Sequence, residues 1–322
     1  MLGHLPYKTK QFFIAIIKLS IIVGASYYIY NRLANNTEID FSEFTSFLSE
    51  NNVFSTKNII ILLFLTIFNW FFEIFKWKIL VNIIKKISFF EALEQSLGGL
   101  TASLITPNRI GDYGAKAVYF NKVHRKRIVL LNLISNVNQM AITTIVGVIG
   151  FILFYFTYDL ELNFRKVSRF LIVIVLVGGF ALFGLQQSRF KIKGFSIERV
   201  IDFVKGLPRK THIIIFIFSL IRYIIFSYQF HFLLQIFGID IDYKTAMIVI
   251  SSMYLLSSII PSLAVFDVLI KTSAAVYLFG FLRVDELTIL CISLLMWILN
   301  FVLPSIFGSY FVLNFRLPKT SD

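Results

Sequence analysis

Apolar residues run through this chain in long blocks separated by short polar or charged stretches. Six blocks, at residues 10–30, 57–80, 128–156, 169–185, 212–237 and 287–315, are read as full membrane spans, since a helix rising ~1.5 Å per residue needs about 20 residues to cross a ~30 Å hydrocarbon core. Two further blocks, 91–120 and 246–280, are interrupted by Pro107 and Pro261. Proline removes a backbone donor and disfavours helix in the residue before it. The apolar arm before Pro107 is too short to span. Basic residues flank both ends of the first block, which predicts a hairpin that enters and leaves on one side. The pattern as a whole predicts an all-α membrane protein: about six full transmembrane helices plus two broken re-entrant hairpins, eight hydrophobic segments in one polytopic domain covering residues 1–322.

The two broken blocks echo each other. Sliding the chain by 154 residues carries Pro107 onto Pro261 and Ala92 onto Ala246. One residue of slippage later, Asp112 and Lys116 find their counterparts in Asp267 and Lys271, again four apart. The repeats, at approximately 57–156 and 211–315, start from opposite sides in this topology. An inverted repeat with broken segments in matching places is the pattern of a transporter whose site lies at the repeat interface.

Polar residues inside the spans come next. Asn69, Glu73 and Lys76 fall on one helical face, as do Ser219, Arg222 and Gln229. Asn132, Ser135, Asn136, Gln139 and Thr143 form a stripe in the third span. Charged groups in a span face the bundle interior or a wet cavity, and polar stripes either glue helices together or line a cavity. Both readings stay open for Glu73, either a structural ion pair or a site residue, and for Arg222, either a structural partner to Glu73 or Asp112 or an anion-binding charge. For Asn132, Asn136 and Gln139 the expectation is cavity lining. Pro304 predicts a kink in the last span. The polar segment 31–56 carries Phe41, Phe44, Phe47 and Leu48 on one face and reads as a surface helix, as does Ile197, Val200, Ile201 and Val204 on the other side.

Composition fits this picture. Hydrophobic residues make up 57% of the chain, 37 of the 322 residues are Phe, and the net charge is +13. In a membrane protein that excess of Lys and Arg reads as orientation and contact with anionic lipid rather than nucleic acid. The basic stretches at 121–127 and 186–210 are assigned to the cytoplasm, which puts both termini there, in a bacterial cytoplasmic membrane. The single Cys291 excludes an intramolecular disulfide, and the four His show no metal-ligand spacing. No metal or cofactor is expected.

A break inside the membrane leaves backbone N–H and C=O groups needing partners. The N–H groups that start a half-helix favour anions such as phosphate. After Pro107, Arg109 and Lys116 stand beside such a start. The residues expected to hold a lipid headgroup are Arg109, Lys116 and Arg222 towards phosphate, with Asp112 and Glu73 balancing them or taking a cationic group. Thr106, Pro107, Asn108, Gly111, Pro261, Ser262, Asp267 and Lys271 are expected to shape the breaks.

The run Thr106-Pro107-Asn108-Arg109-Ile110-Gly111-Asp112 resembles a T-P-x-R-x-G-[DE] motif. That motif belongs to the transmembrane region of lysylphosphatidylglycerol synthase, the flippase half of multiple-peptide-resistance-factor proteins. The family's second half has a proline followed by a G-x-G-x-R-E turn. Pro261-Ser262 matches the start of it, whereas Phe266, Asp267 and Val268 stand where glycine and the charged pair occur. The resemblance implies translocation or recognition of a phosphate-bearing lipid, anionic or zwitterionic. It implies no aminoacyl transfer, because synthases of that family carry a soluble domain beyond the last span and this chain ends at Asp322. An enzyme is therefore not expected. Other readings are a small-solute or ion transporter, and a membrane scaffold for a lipid-modifying or glycan-synthesis enzyme.

Overall fold

The computed structural model describes residues 55–104, 106, 110–158, 197–259 and 264–315, with single positions 46, 49 and 50. The expected spans at 10–30 and 169–185, and nearly all of the surface segment 31–56, lie outside the described residues. The described helices are α1 (Thr56–Val81), α2 (Phe89–Leu104), α3 (Ile110–Val118), α4 (Lys122–Thr157), α5 (Ile197–Lys205), α6 (Arg209–Ile236), α7 (Tyr243–Ile259), α8 (Ala264–Gly280), α9 (Glu286–Trp297) and α10 (Leu303–Asn314), the last two joined by a π-helical turn, Ile298–Val302. No strand occurs among the described residues. Four helical stretches among them, α1, α4, α6 and the continuous 29-residue Glu286–Asn314, are long and apolar enough to cross a membrane. The protein is an all-α integral membrane protein.

Helix starts are written locally. Before α2, the Ser88 hydroxyl accepts from the Glu91 N–H (3.1 Å) and the Glu91 carboxylate accepts from the Ser88 N–H (2.6 Å), a reciprocal capping box. Asp242 accepts from the Thr245 N–H at the start of α7, which holds its carboxyl below the usual range. At α9 the Asp285 carboxylate accepts from the Thr288 N–H (3.0 Å). The basic run after Asn121 is helical, Lys122 to Arg127 forming the opening turns of the 36-residue α4.

Packing ties the two broken blocks to each other's final helices. α2 packs on α3 and α10, and α7 packs on α8 and α4. α1 lies against α6, and contacts join Glu73 to Arg222 but Leu62 and Thr66 to Gln229, so the two run antiparallel. The expected kink at Pro304 falls where the last span carries a π-helical turn, Ile298–Val302. Pro304 has no N–H to give the Asn300 carbonyl, and that oxygen instead accepts from the Trp70 indole N–H (3.2 Å).

Two cores mark the two ends. Ile87, Phe120 and Leu207, from three inter-helix turns, share one core with Trp77, Leu80 and Ile128. This gathers Lys85, Lys86, Lys122, Lys126, Arg127, Lys205 and Lys210 at one end of the bundle. The other core holds Phe237, Phe279 and Ile289, and turn residues Tyr158, Ile239 and Leu282 pack on it. Asp240, Asp242, Asp285 and Glu286 lie at that end.

α10 meets α2 closely at Gly308, where an added Cβ would overlap the Leu97 backbone carbonyl. Gly308→Ala should cost about 1–3 kcal/mol of stability. Gly280→Ala, where a Cβ meets nothing within 4 Å, should stay within about 0.5 kcal/mol. Melting of the two variants in detergent micelles checks the contrast, and equal losses would contradict the packing.

Candidate functional site

The first break folds back tightly. The Thr106 hydroxyl accepts from the Gly111 N–H (2.8 Å) and donates to the Ser103 carbonyl (3.1 Å), tying the end of α2 to the start of α3. A Cβ at Gly111 would overlap the Ala102 carbonyl, so glycine there lets the arms close. Pro107, Asn108 and Arg109 lie outside the described residues, as do Pro261 and Ser262. Asp267 lies in α8, and its side chain is also outside them.

Behind this turn, α3 presents Asp112 and Lys116 on one face, four residues apart. Lys116 Nζ lies 3.1 Å from the Asp112 carboxylate and 2.9 Å from the Asn132 amide oxygen. The Asn132 amide N–H donates to Asp112 (2.7 Å), closing a three-membered ring of contacts. The Lys116 ammonium also stands over the Trp77 ring, 4.6 Å from its centroid, and the Trp77 N–H donates to Gln95 (2.9 Å). Room for the carboxylate comes from Gly99, where a Cβ would collide with Asp112.

A second network crosses from α1 to α6. Glu73 pairs with Lys76 (2.9 Å) and with Arg222. Arg222 also donates to the Asn69 side chain (3.1 Å) and to Gln139 of α4 (3.2 Å). Asn69 donates to Asn300 in the π turn (3.0 Å), Asn300 to Gln229 (2.9 Å), and Gln229 to Thr66 (2.9 Å). Lys116 is close enough to Glu73 for their charges to interact, which joins the two networks. The joined cluster holds three cations (Lys76, Lys116, Arg222) and two carboxylates (Glu73, Asp112) among the described residues.

Exposure divides their roles. The side chains of Lys76 and Lys116 keep 1% and 4% of their surface, whereas Glu73, Asp112 and Arg222 keep 11%, 14% and 17%. The last three are the charged members of the cluster that retain accessible surface. Asn132 and Gln139, which touch Asp112 and Arg222, are seven residues apart on α4, roughly 10 Å along its axis. Asn136 lies between them and donates to the Tyr113 hydroxyl (3.0 Å).

Of the residues singled out from sequence, Glu73, Asp112, Lys116, Asn132, Gln139 and Arg222 thus meet in one cluster, with Asn136 at its edge. Lys271 does not join it; its ammonium lies against Phe301, 5.4 Å from the ring centroid. Gly99, Trp77, Gln95 and Asn300 were not singled out. A lone Asn in an otherwise apolar span was a signal for Asn300; Trp77 and Gly99 offered none.

Comparison with known proteins agrees with this architecture. The family model described as "Lysylphosphatidylglycerol synthase TM region" matches residues 15–308. The chain belongs to that family. Neither a curated protein nor a solved structure matches it. Membership of the lysylphosphatidylglycerol synthase transmembrane-region family makes this a lipid-related membrane protein.

Proposed function

We propose that this family member is a flippase-type transporter that carries a lipid with a phosphate-bearing headgroup between leaflets. The observation that carries the reading is the buried charged cluster at α1, α3, α4 and α6, whose more accessible members, Arg222, Asp112 and Glu73, carry both signs. A headgroup crossing a hydrocarbon core needs polar partners along its way. In this reading Arg222 takes the phosphate and Asp112 takes a cationic group about two helical turns away, which favours a zwitterionic headgroup. Arg109, which the family motif adds, is a further phosphate partner. Lys76 and Lys116 are too enclosed to touch the lipid, and they set the potential that Glu73 and Asp112 feel. No chemical step is assigned to the chain.

The antiparallel α1–α6 pair and the exchange of final helices between the two halves support an inverted repeat. The 16- and 9-residue arms of α2–α3 support a re-entrant hairpin. The basic end of the bundle favours placement on the cytoplasmic side of a bacterial inner membrane.

Leaflet exchange of fluorescent phospholipids in proteoliposomes tests the proposal. Wild-type protein should speed exchange well above protein-free vesicles, and Arg109→Ala and Asp112→Ala should remove most of the gain. Absence of exchange across anionic and zwitterionic lipids would sink it and favour a scaffold for a lipid-modifying enzyme.

A further inference from the structure

Successive polar residues of α4 meet different partners on the facing helices. Asn132 holds Asp112 and Lys116, Asn136 donates to the Tyr113 hydroxyl (3.0 Å), and Gln139 accepts from Arg222. Asn136 thus stands ~6 Å along the helix axis from Asn132 and ~4.5 Å from Gln139. Tyr113 follows Asp112 directly on α3. The Tyr113–Asn136 pair therefore lies on the stretch between Asp112 and Arg222, and it is neutral.

The pair is not saturated. A phenol offers one O–H donor and its oxygen lone pairs, and a primary amide offers two N–H donors and one oxygen. The bond between them uses one donor and one acceptor. Among the described residues, neither the Tyr113 O–H nor the Asn136 amide oxygen has a further partner. That oxygen is not sealed off either. The fully enclosed side-chain atoms without a partner include Ser135 Oγ, one residue away, but no atom of Asn136. Both residues are partly exposed. Turning the amide over keeps the balance, with N–H groups free on Asn136 and the phenol oxygen free to accept. In either orientation a spare donor and a spare acceptor sit side by side. A hydroxyl group, which donates and accepts, complements such a pair. An ammonium only donates and an ionised phosphate only accepts.

We infer that Tyr113 and Asn136 select lipids whose headgroup carries a hydroxyl close to the phosphate, as on a glycerol or a sugar. The inference rests on the reading of the cluster as a headgroup site and adds a substrate class to it. With the phosphate on Arg222, a hydroxyl on the second or third headgroup carbon comes level with Asn136, just under one helical turn along α4 from Gln139.

The test uses the full chain in dodecyl maltoside micelles. The two probes differ only in their hydroxyls: dihexanoyl-phosphatidylglycerol and dihexanoyl-phosphatidylpropanol. Both carry one negative charge, so Arg222 and Asp112 treat them alike. Isothermal titration calorimetry should show the glycerol lipid binding about tenfold tighter, the scale of one or two neutral hydrogen bonds. Tyr113→Phe, which keeps the ring and its packing, and Asn136→Leu should each bring the two affinities to within about twofold, the loss falling on the glycerol lipid. A pair that only braces α3 against α4 would weaken both lipids by the same factor and keep the preference. Preference retained in either variant, or equal affinities in the wild type, overturns the selection and leaves the headgroup reading standing. No saturable binding of either lipid overturns both.

Discussion

Glu73→Ala is expected to cost about 3–5 kcal/mol of stability, the scale found when one partner of a buried ion pair is removed. Glu73 answers two cations at once, Lys76 at 2.9 Å and Arg222 on the facing helix. Its loss leaves both positive charges in a bundle interior with no carboxylate paired to them among the described residues. Lys76→Met should be far milder, because Glu73 and Arg222 still compensate each other one to one. Arg222→Met falls between the two. It keeps the Glu73–Lys76 pair but strips the Asn69 and Gln139 oxygens of their donor. Reversible unfolding in mixed micelles with SDS gives this order directly. Equal losses in Glu73→Ala and Lys76→Met would show that the pairing across α1 and α6 does not hold the bundle.

Lys116→Met should also destabilise, though less than Glu73→Ala, because Asp112 is partly exposed and among the described residues keeps Asn132 as a donor. Asp112→Asn/Lys116→Met should recover most of that stability. Replacing a buried ion pair by neutral groups of similar volume is often neutral or favourable. Transport separates the two accounts of this pair. If Asp112 takes a cationic headgroup, the double variant folds but exchanges lipid no faster than protein-free vesicles. Exchange restored together with stability would make the pair purely structural and would move the headgroup site elsewhere.

The elements themselves were legible because their signals are local. The length of an apolar run decides whether a helix can span, and Pro107 and Pro304 act on residues within one turn of themselves. Ser88 with Glu91, Asp242 and Asp285 cap the helices they precede. The candidate cluster was half legible. A carboxylate or guanidinium in an apolar span must find a partner, so Glu73, Asp112, Lys116 and Arg222 stood out before any pairing was known. Candidate pairings were legible, but not which of them forms, since Arg222 had both Glu73 and Asp112 as possible partners. Glu73 and Arg222 are 149 residues apart, and in a bundle any neighbouring helix can satisfy a buried charge. Asn300 reads as one polar residue in a long apolar run. Gly99 reads as one more small residue in a glycine pair, yet it makes the space that Asp112 occupies.

By itself, then, the sequence determined the helices, their caps and breaks, the basic segments and the set of charges that had to be buried, since each depends on neighbours within a few residues. Tertiary structure alone decided that α1 and α6 run antiparallel in contact, that Arg222 meets Glu73 rather than Asp112, and that Lys116 is enclosed with Asp112 and Asn132 whereas Lys271 lies against Phe301. Those outcomes depend on how the helices pack against one another, and helix packing is set by the shapes of many residues far apart in the chain.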